Sequence, residues 1–174
     1  MSKINFPLDR LRGIAFDIDG VLSPSTVPMG ADGVPLRMVN IKDGYALQLA
    51  VKCGLKIAII SGGVSEAVVK RYKALGINDI YMGVGNKTEV LEKWLEQVGL
   101  QADEVAFCGD DVPDIPVMQK VGLAVAPADA AVDARVAADY IAVAAGGYGV
   151  AREIIEETLR AQGKWMADTK AFGW

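Results

Sequence analysis

Asp17 and Asp19 stand two residues apart at the end of the apolar run Gly13-Ile14-Ala15-Phe16, with Gly20-Val21-Leu22 after them. Residues i and i+2 of an extended chain share a face, so both carboxylates can be presented at the carboxyl edge of a sheet, where open α/β sheets bind ligands. At roughly 4 Å and an effective dielectric of about 20, two such anions repel by about 4 kcal/mol, which asks for a bound cation or one raised pKa. The chemistry this fits is phosphoryl transfer. Asp17 would attack phosphorus and form an aspartyl-phosphate, while Asp19 would protonate the leaving alkoxide and then activate water. A pair of turn-forming acids capping a strand is the plainer alternative, and the short string alone does not decide between them.

Three further segments end apolar runs in groups suited to the same reaction. Ile57-Ala58-Ile59-Ile60 runs into Ser61-Gly62-Gly63, where a hydroxyl and backbone N–H groups can approach a phosphate at a helix expected to begin near Val64. The same tripeptide also serves as an ordinary strand-to-helix turn. Gly85-Asn86-Lys87-Thr88-Glu89 has N-cap spacing, which sets Lys87 in a first helical turn. A cation there opposes the helix dipole and is best explained by a facing anion, with a solvated lysine as the alternative. Val105-Ala106-Phe107-Cys108-Gly109 leads into Asp110, Asp111 and Asp114. Hard oxygen ligands favour Mg²⁺, held by Asp17, the Asp19 main-chain carbonyl and Asp110. Asp111 is expected to pair with Lys87, and Asp114 to orient the loop.

Strand-like runs at about 13–17, 55–60, 79–82, 104–109, 122–126 and 139–142 alternate with helical patterns, the mark of a doubly wound α/β fold with a parallel sheet. Leu91, Trp94, Leu95 and Val98 form one apolar helix stripe. Val64, Val68, Tyr72 and Leu75 form a second, and Val150, Ile154, Thr158 and Leu159 a third in a helix ending near Gly163. Residues 23–42 break the alternation with Pro24, Pro28, Gly30, Gly33 and Pro35, and predict a β-hairpin projecting from the sheet edge beside the site. An ordinary long surface loop is the other reading of that segment.

The 174 residues suit one domain, 1–174, and a 52% hydrophobic content supplies a core without disulfides. A net charge of −4 argues against nucleic acid or an anionic membrane as principal partner. Cys53 and Cys108 lack metal-ligand spacing and read as reduced thiols. Histidine is absent, which excludes Ser-His and Cys-His catalysis and histidine-bound zinc within this chain. The start lacks the continuous apolar segment of a signal peptide, so a soluble, cytoplasmic protein is expected.

With these four motifs in order from Asp17 to Asp114, the sequence resembles the haloacid-dehalogenase superfamily of phosphatases. More closely, it resembles the capless branch that includes the 3-deoxy-D-manno-octulosonate 8-phosphate phosphatases. That likeness rests on Asp17-Ile18-Asp19-Gly20-Val21-Leu22-Ser23, Asn40-Ile41-Lys42-Asp43-Gly44, Gly109-Asp110-Asp111 with Asp114 and Pro116-Val117-Met118, and Ala145-Gly146-Gly147, across roughly residues 11–162. It implies a Rossmann-like fold without a cap domain and a Mg²⁺-dependent phosphatase acting on a small sugar-acid phosphate. It further implies a homotetramer whose projecting hairpins pack together and whose neighbouring subunits cover each active site. Arg37 and Lys42 match basic positions of the family's hairpin segment and are candidates for a substrate carboxylate, with solvated surface residues the equal alternative. Gly63 stands where the family commonly has arginine, the histidine expected near Ala130 is absent, and Tyr148 replaces the usual basic residue between glycines. A nine-carbon sugar-acid phosphate, or another small phosphorylated metabolite, is the second substrate reading. A non-catalytic oligomeric module that binds a phosphorylated ligand is the alternative from another class. The tail, 163–174, carries Trp165, Phe172 and Trp174 and is expected to dock on its own or a neighbouring subunit.

Overall fold

A computed structural model describes residues 2–173. Six parallel strands form one sheet: β1 (Gly13–Phe16), β2 (Lys56–Ile60), β3 (Asp79–Tyr81), β4 (Val105–Cys108), β5 (Leu123–Ala126) and β6 (Tyr140–Ile141). Their spatial order is β3-β2-β1-β4-β5-β6, so the chain reverses its direction of growth between β1 and β4. Ligands of open α/β sheets bind beyond the carboxyl ends at such a reversal. Each of the six expected runs became a strand.

The central strands are apolar throughout because both their faces are covered. All four residues of β1, β4 and β5 are buried. Alternation divides them into two cores. Ile14, Phe16, Ile57 and Ile59 face the helices α1 (Ile41–Lys52), α2 (Glu66–Lys73) and α6 (Val150–Ala161). Ala15, Ala58, Ile60 and Phe107 face α3 (Lys87–Val98), the short α4 (Ile115–Met118) and α5 (Val132–Ala137). Trp94 is fully buried on the second side, and its indole N–H donates to Asp79 Oδ2 at 3.0 Å, so the ring costs no unpaired donor.

The stripes at 91–98 and 150–159 lie on core faces, but Val64 does not belong to the second stripe and is 70% exposed. Ser65, not the Ser61 turn, caps α2, its hydroxyl accepting from Val68 N at 3.3 Å, so the helix begins two residues later than its pattern predicted. Residues 23–40 do project, yet apart from a bridge of Ser23 to Asp19 at the root, their pairing is one antiparallel bridge, Met29 with Pro35. Gly30 N donates to Val34 O and Leu36 N to Pro28 O, each at 2.8 Å. Pro28 and Pro35 have no N–H to extend the ladder.

Asn40 closes the projection by capping α1, accepting from Lys42 N at 2.9 Å and Asp43 N at 3.3 Å. Asp43 is buried in the first turn, where Oδ1 accepts from Arg152 N at 2.7 Å and so ties α1 to the start of α6. Burial pushes its carboxyl up to about 6 against the pull of Arg152. The tail returns to the same pair of helices. Trp165 packs edge-on against Tyr45, Arg152 lies 4.5 Å from the Trp165 ring centre, and Lys52 Nζ donates to Gly173 O at 3.1 Å. Within this chain the tail therefore docks on α1 and α6, sharing a groove with Tyr45 and Arg152, while Phe172 stays 74% exposed. Trp174 lies outside the described residues.

Candidate active site

Four chain segments meet at the carboxyl edge around a cleft of about 480 Å³. β1 delivers Asp17 and Asp19, β2 delivers Ser61 and Gly62, the first turn of α3 delivers Lys87, and β4 delivers Asp110, Asp111 and Asp114. Ser25, at the root of the projection, also lines the cleft, a position that no local pattern marked.

Asp17 continues the β1 ladder, its N–H donating to Cys108 O at 3.0 Å, so its place is set by backbone pairing with β4. Oδ1 accepts from Ile18 N at 2.6 Å and Oδ2 lies 2.7 Å from Lys87 Nζ. Burial raises the Asp17 pKa, as does nearby Asp114, with Lys87 opposing them. Lys87 is 8% exposed and also lies 2.6 Å from Asp114 Oδ1. Burial would lower its pKa, but the two carboxylates outweigh that and hold it above the usual lysine value. The helix cap expected at Asn86 is present, accepting from Thr88 N at 3.1 Å while its amide donates to Glu89 at 2.8 Å.

Lys87 pairs with Asp114 rather than with Asp111, which corrects the expected division of labour. Asp111 caps the turn Val112–Asp114, accepting from Val112 N at 2.8 Å at an exposed position. Pro113 tightens that turn and folds Asp114 back into the interior. Asp114 then spans the site: Oδ1 meets Lys87, and Oδ2 accepts from Asp110 N at 2.9 Å and Asp111 N at 3.3 Å. Asp114 thus orients its loop as expected and also holds the lysine.

Carboxylate oxygens of Asp17, Asp110 and Asp114 lie within 4.8 Å of one another. Asp114 is committed three times, to Lys87, Asp110 N and Asp111 N, and its side chain is only 1% exposed, so Asp17 and Asp110, nearer the open cleft, are the side chains better placed for a cation. Gly20, at φ +79°, makes room for this approach, because a Cβ there would lie 1.9 Å from Asp110 Oδ2. Burial, then Asp114, Asp17 and Asp111, push the Asp110 carboxyl up to about 7 against the pull of Lys87. Hard oxygen donors with surplus negative charge fit Mg²⁺.

Asp19 faces the open side, with a side chain 44% exposed. Arg37 reaches it from the projection, donating through Nε to Oδ1 and Nη2 to Oδ2, both at 2.8 Å. The hydrogen bonds to Asp19 raise the guanidinium's pKa further. Lys42 is exposed in the first turn of α1 and is not part of the cleft lining. Ser61 is buried, and its hydroxyl accepts from Gly63 N at 3.3 Å, which turns the chain sharply at the end of β2. The loop before α6 braces the loop after β1, with Gly147 N donating to Val21 O at 2.8 Å.

The haloacid dehalogenase-like hydrolase family matches residues 72–154. The chain is 40% identical over 156 residues, 90% of its own length and 83% of the relative's, to 3-deoxy-D-manno-octulosonate 8-phosphate phosphatase of Escherichia coli K12. Among solved structures it resembles the Moraxella catarrhalis 3-deoxy-D-manno-octulosonate 8-phosphate phosphatase in complex with a magnesium ion, a phosphate ion and 3-deoxy-D-manno-octulosonate (KDO). The TM-score is 0.89 at 30% identity, covering 96% of both chains. It also resembles the cobalt-bound enzyme of Haemophilus influenzae, with a TM-score of 0.88 at 28% identity over 95% of this chain and 98% of that one.

Proposed function

Since this chain belongs to the haloacid dehalogenase-like hydrolase family and is a phosphatase, we propose that its substrate is 3-deoxy-D-manno-octulosonate 8-phosphate, split to the free sugar acid and phosphate. The observation that carries this reading is the division of labour between two acids. Asp17 is buried against Lys87 beside Asp110, while Asp19 stands two residues on at the open side of the cleft. Ligand binding alone has no use for that second acid.

Asp17 attacks phosphorus in line, and the bond from phosphorus to the sugar oxygen breaks as Asp19 protonates that oxygen. Asp19 then takes a proton from the water that attacks the aspartyl-phosphate, which returns Asp17 as a carboxylate. Lys87 holds Asp17 ionised and balances charge on the transferring group, fixed in turn by Asp114. Ser61 and the Gly62 N–H donate to the phosphate oxygens from the opposite wall. Mg²⁺, held by Asp17, Asp110 and the Asp19 main-chain carbonyl, supplies electrostatic stabilisation of the phosphoryl oxygens when bound.

In this reading the chain is one catalytic domain in a homotetramer, in the cytoplasm, serving lipopolysaccharide biosynthesis. Support for assembly comes from the projection, where Met29 and Leu36 are each more than half exposed, as is Ile41 at the adjoining start of α1. Neighbouring subunits would cover the cleft, and Lys42 would act on a neighbour's substrate. The departures at Gly63 and Tyr148 favour keeping a nine-carbon sugar-acid phosphate as the second substrate.

Phosphate release from a panel of esters tests the proposal. The eight-carbon ester should have the highest kcat/KM, EDTA should abolish turnover, and Asp17→Asn should lower kcat on the order of 10³-fold or more. A higher kcat/KM on the nine-carbon ester would overturn the substrate, and substantial Asp17→Asn turnover would overturn the nucleophile. Tight ligand binding without phosphate release would instead mark a non-catalytic module.

A further inference from the structure

Asp19 has work to do on the substrate, yet both of its carboxylate oxygens are occupied. The two hydrogen bonds from Arg37, each 2.8 Å, fix the plane of the carboxylate as well as its position. Each oxygen keeps a second acceptor site, but while that clasp stands the carboxylate is turned to the guanidinium and cannot swing its plane toward a leaving group. The guanidinium reaches Asp19 through the space over Gly63, where a Cβ would lie 2.2 Å from Nη2 and 3.2 Å from Asp19 Oδ2. Glycine at 63 and arginine at 37 are therefore a matched pair. Gly62 and Gly63 leave the turn after Ser61 without side chains, and a charge from the projection fills the vacated volume, leaving the Arg37 side chain only 7% exposed.

The grip is uneven. Nη1 is held by Val64 O at 3.3 Å, a long contact with a neutral acceptor, whereas the two bonds to Asp19 are short and charge-assisted. Another carboxylate entering the cleft can replace Asp19 as the guanidinium's partner with little net change, one charged pair being exchanged for a similar one. An ester without a carboxylate must break the clasp with nothing in return.

We propose that Arg37 is a specificity latch: the carboxylate of the substrate draws the guanidinium off Asp19, so that Asp19 is released only when a carboxylated phosphate ester occupies the cleft. The inference rests on the sugar-acid reading above and adds to it the residue that couples recognition of one end of the substrate to chemistry at the other. Selectivity is then enforced twice, by attraction for the right ester and by an unreleased Asp19 for the wrong one.

Arg37→Ala and Gly63→Ala separate this role from simple anchoring. The first removes the latch, and the second places a methyl group where Nη2 stands. Both are assayed on 3-deoxy-D-manno-octulosonate 8-phosphate and on D-ribose 5-phosphate, a sugar phosphate with no carboxylate. In Arg37→Ala, kcat/KM on the sugar-acid ester should fall about 10- to 100-fold, the size of a lost charged contact. On ribose 5-phosphate it should rise several-fold, because Asp19 is no longer held. Gly63→Ala should move both values in the same directions by less, and it carries the test if Arg37→Ala fails to fold by circular dichroism. A fall on both esters, or an unchanged rate on ribose 5-phosphate, overturns the latch. A wild-type enzyme with no preference for the carboxylated ester overturns the sugar-acid reading and the latch together, whereas a preference that survives while Arg37→Ala gains nothing on ribose 5-phosphate overturns the latch alone.

Discussion

Replacing Lys87 by methionine keeps the stem of the side chain and deletes the charge on which two buried carboxylates depend. Its ammonium lies 2.7 Å from Asp17 and 2.6 Å from Asp114, and the Asp114 side chain is 1% exposed. At an effective dielectric of about 20, each contact is worth about 6 kcal/mol of Coulombic attraction, or about 12 for the two. Burying the three charges takes back most of this, and removing one partner from a buried pair costs about 3–5 kcal/mol. Lys87→Met should therefore lose about that much stability in EDTA at pH 8, lowering Tm by about 10 °C for a chain of this size. Urea unfolding followed by tryptophan fluorescence gives the value. Asp17 already has a raised pKa, and losing the lysine raises it further, so at lower pH the orphaned Asp17 takes up a proton and the loss at pH 5 should shrink. A loss below about 1 kcal/mol at pH 8, or an equal loss at both pH values, would refute the claim that the lysine balances buried carboxylates.

Two other outcomes follow from the carboxylates. Asp110, pushed up to about 7, must be ionised to hold Mg²⁺, so affinity should fall by up to about tenfold per unit below pH 7, with proton release on binding. Calorimetry at pH 6.5 in two buffers of different ionisation heat reads that proton, and a pH-independent affinity between 6 and 8 counts against the assignment. Asp43, raised to about 6, contributes stability that is fully present below the ordinary carboxyl value and lost as pH rises through 6. Between pH 4 and pH 7 the wild type should lose roughly 2–3 kcal/mol relative to Asp43→Asn, and parallel stability profiles would exclude this role.

The strands and the acids at their ends were legible because both follow from local rules. Continuous apolar runs mark strands covered on both faces, and a charged residue directly beyond such a run has to lie at the sheet edge. Helix starts were less secure. Ser65 outcompetes the Ser61 turn as a cap because its hydroxyl sits where Val68 N needs an acceptor, and Val64 is left outside the helix it seemed to begin. The exchange between Asp111 and Asp114 had a signal in the spacing Asp111-Val112-Pro113-Asp114, a capping arrangement around a tight turn, which predicts that the fourth residue points back. Arg37 over Gly63 had none. A long side chain crossing from a projection into a vacated volume depends on tertiary placement, and periodicity contains no trace of it. Lys42, five residues on, lies outside the cleft because the cap at Asn40 turns the chain into α1 between them.

The hydrogen bond from Gly147 to Val21 sets when this protein can first act as it leaves a ribosome. β1 is made early, but it sits in the middle of the sheet, and its catalytic loop is held by β4 on one side and by the loop before α6 on the other. Until those later residues emerge, Asp17 and Asp19 belong to an unanchored turn, and closing contacts so distant along the chain is slow. Activity therefore arrives last, after nearly the whole chain is made, and a nascent fragment ending before α6 has the acids without the brace that holds them in register.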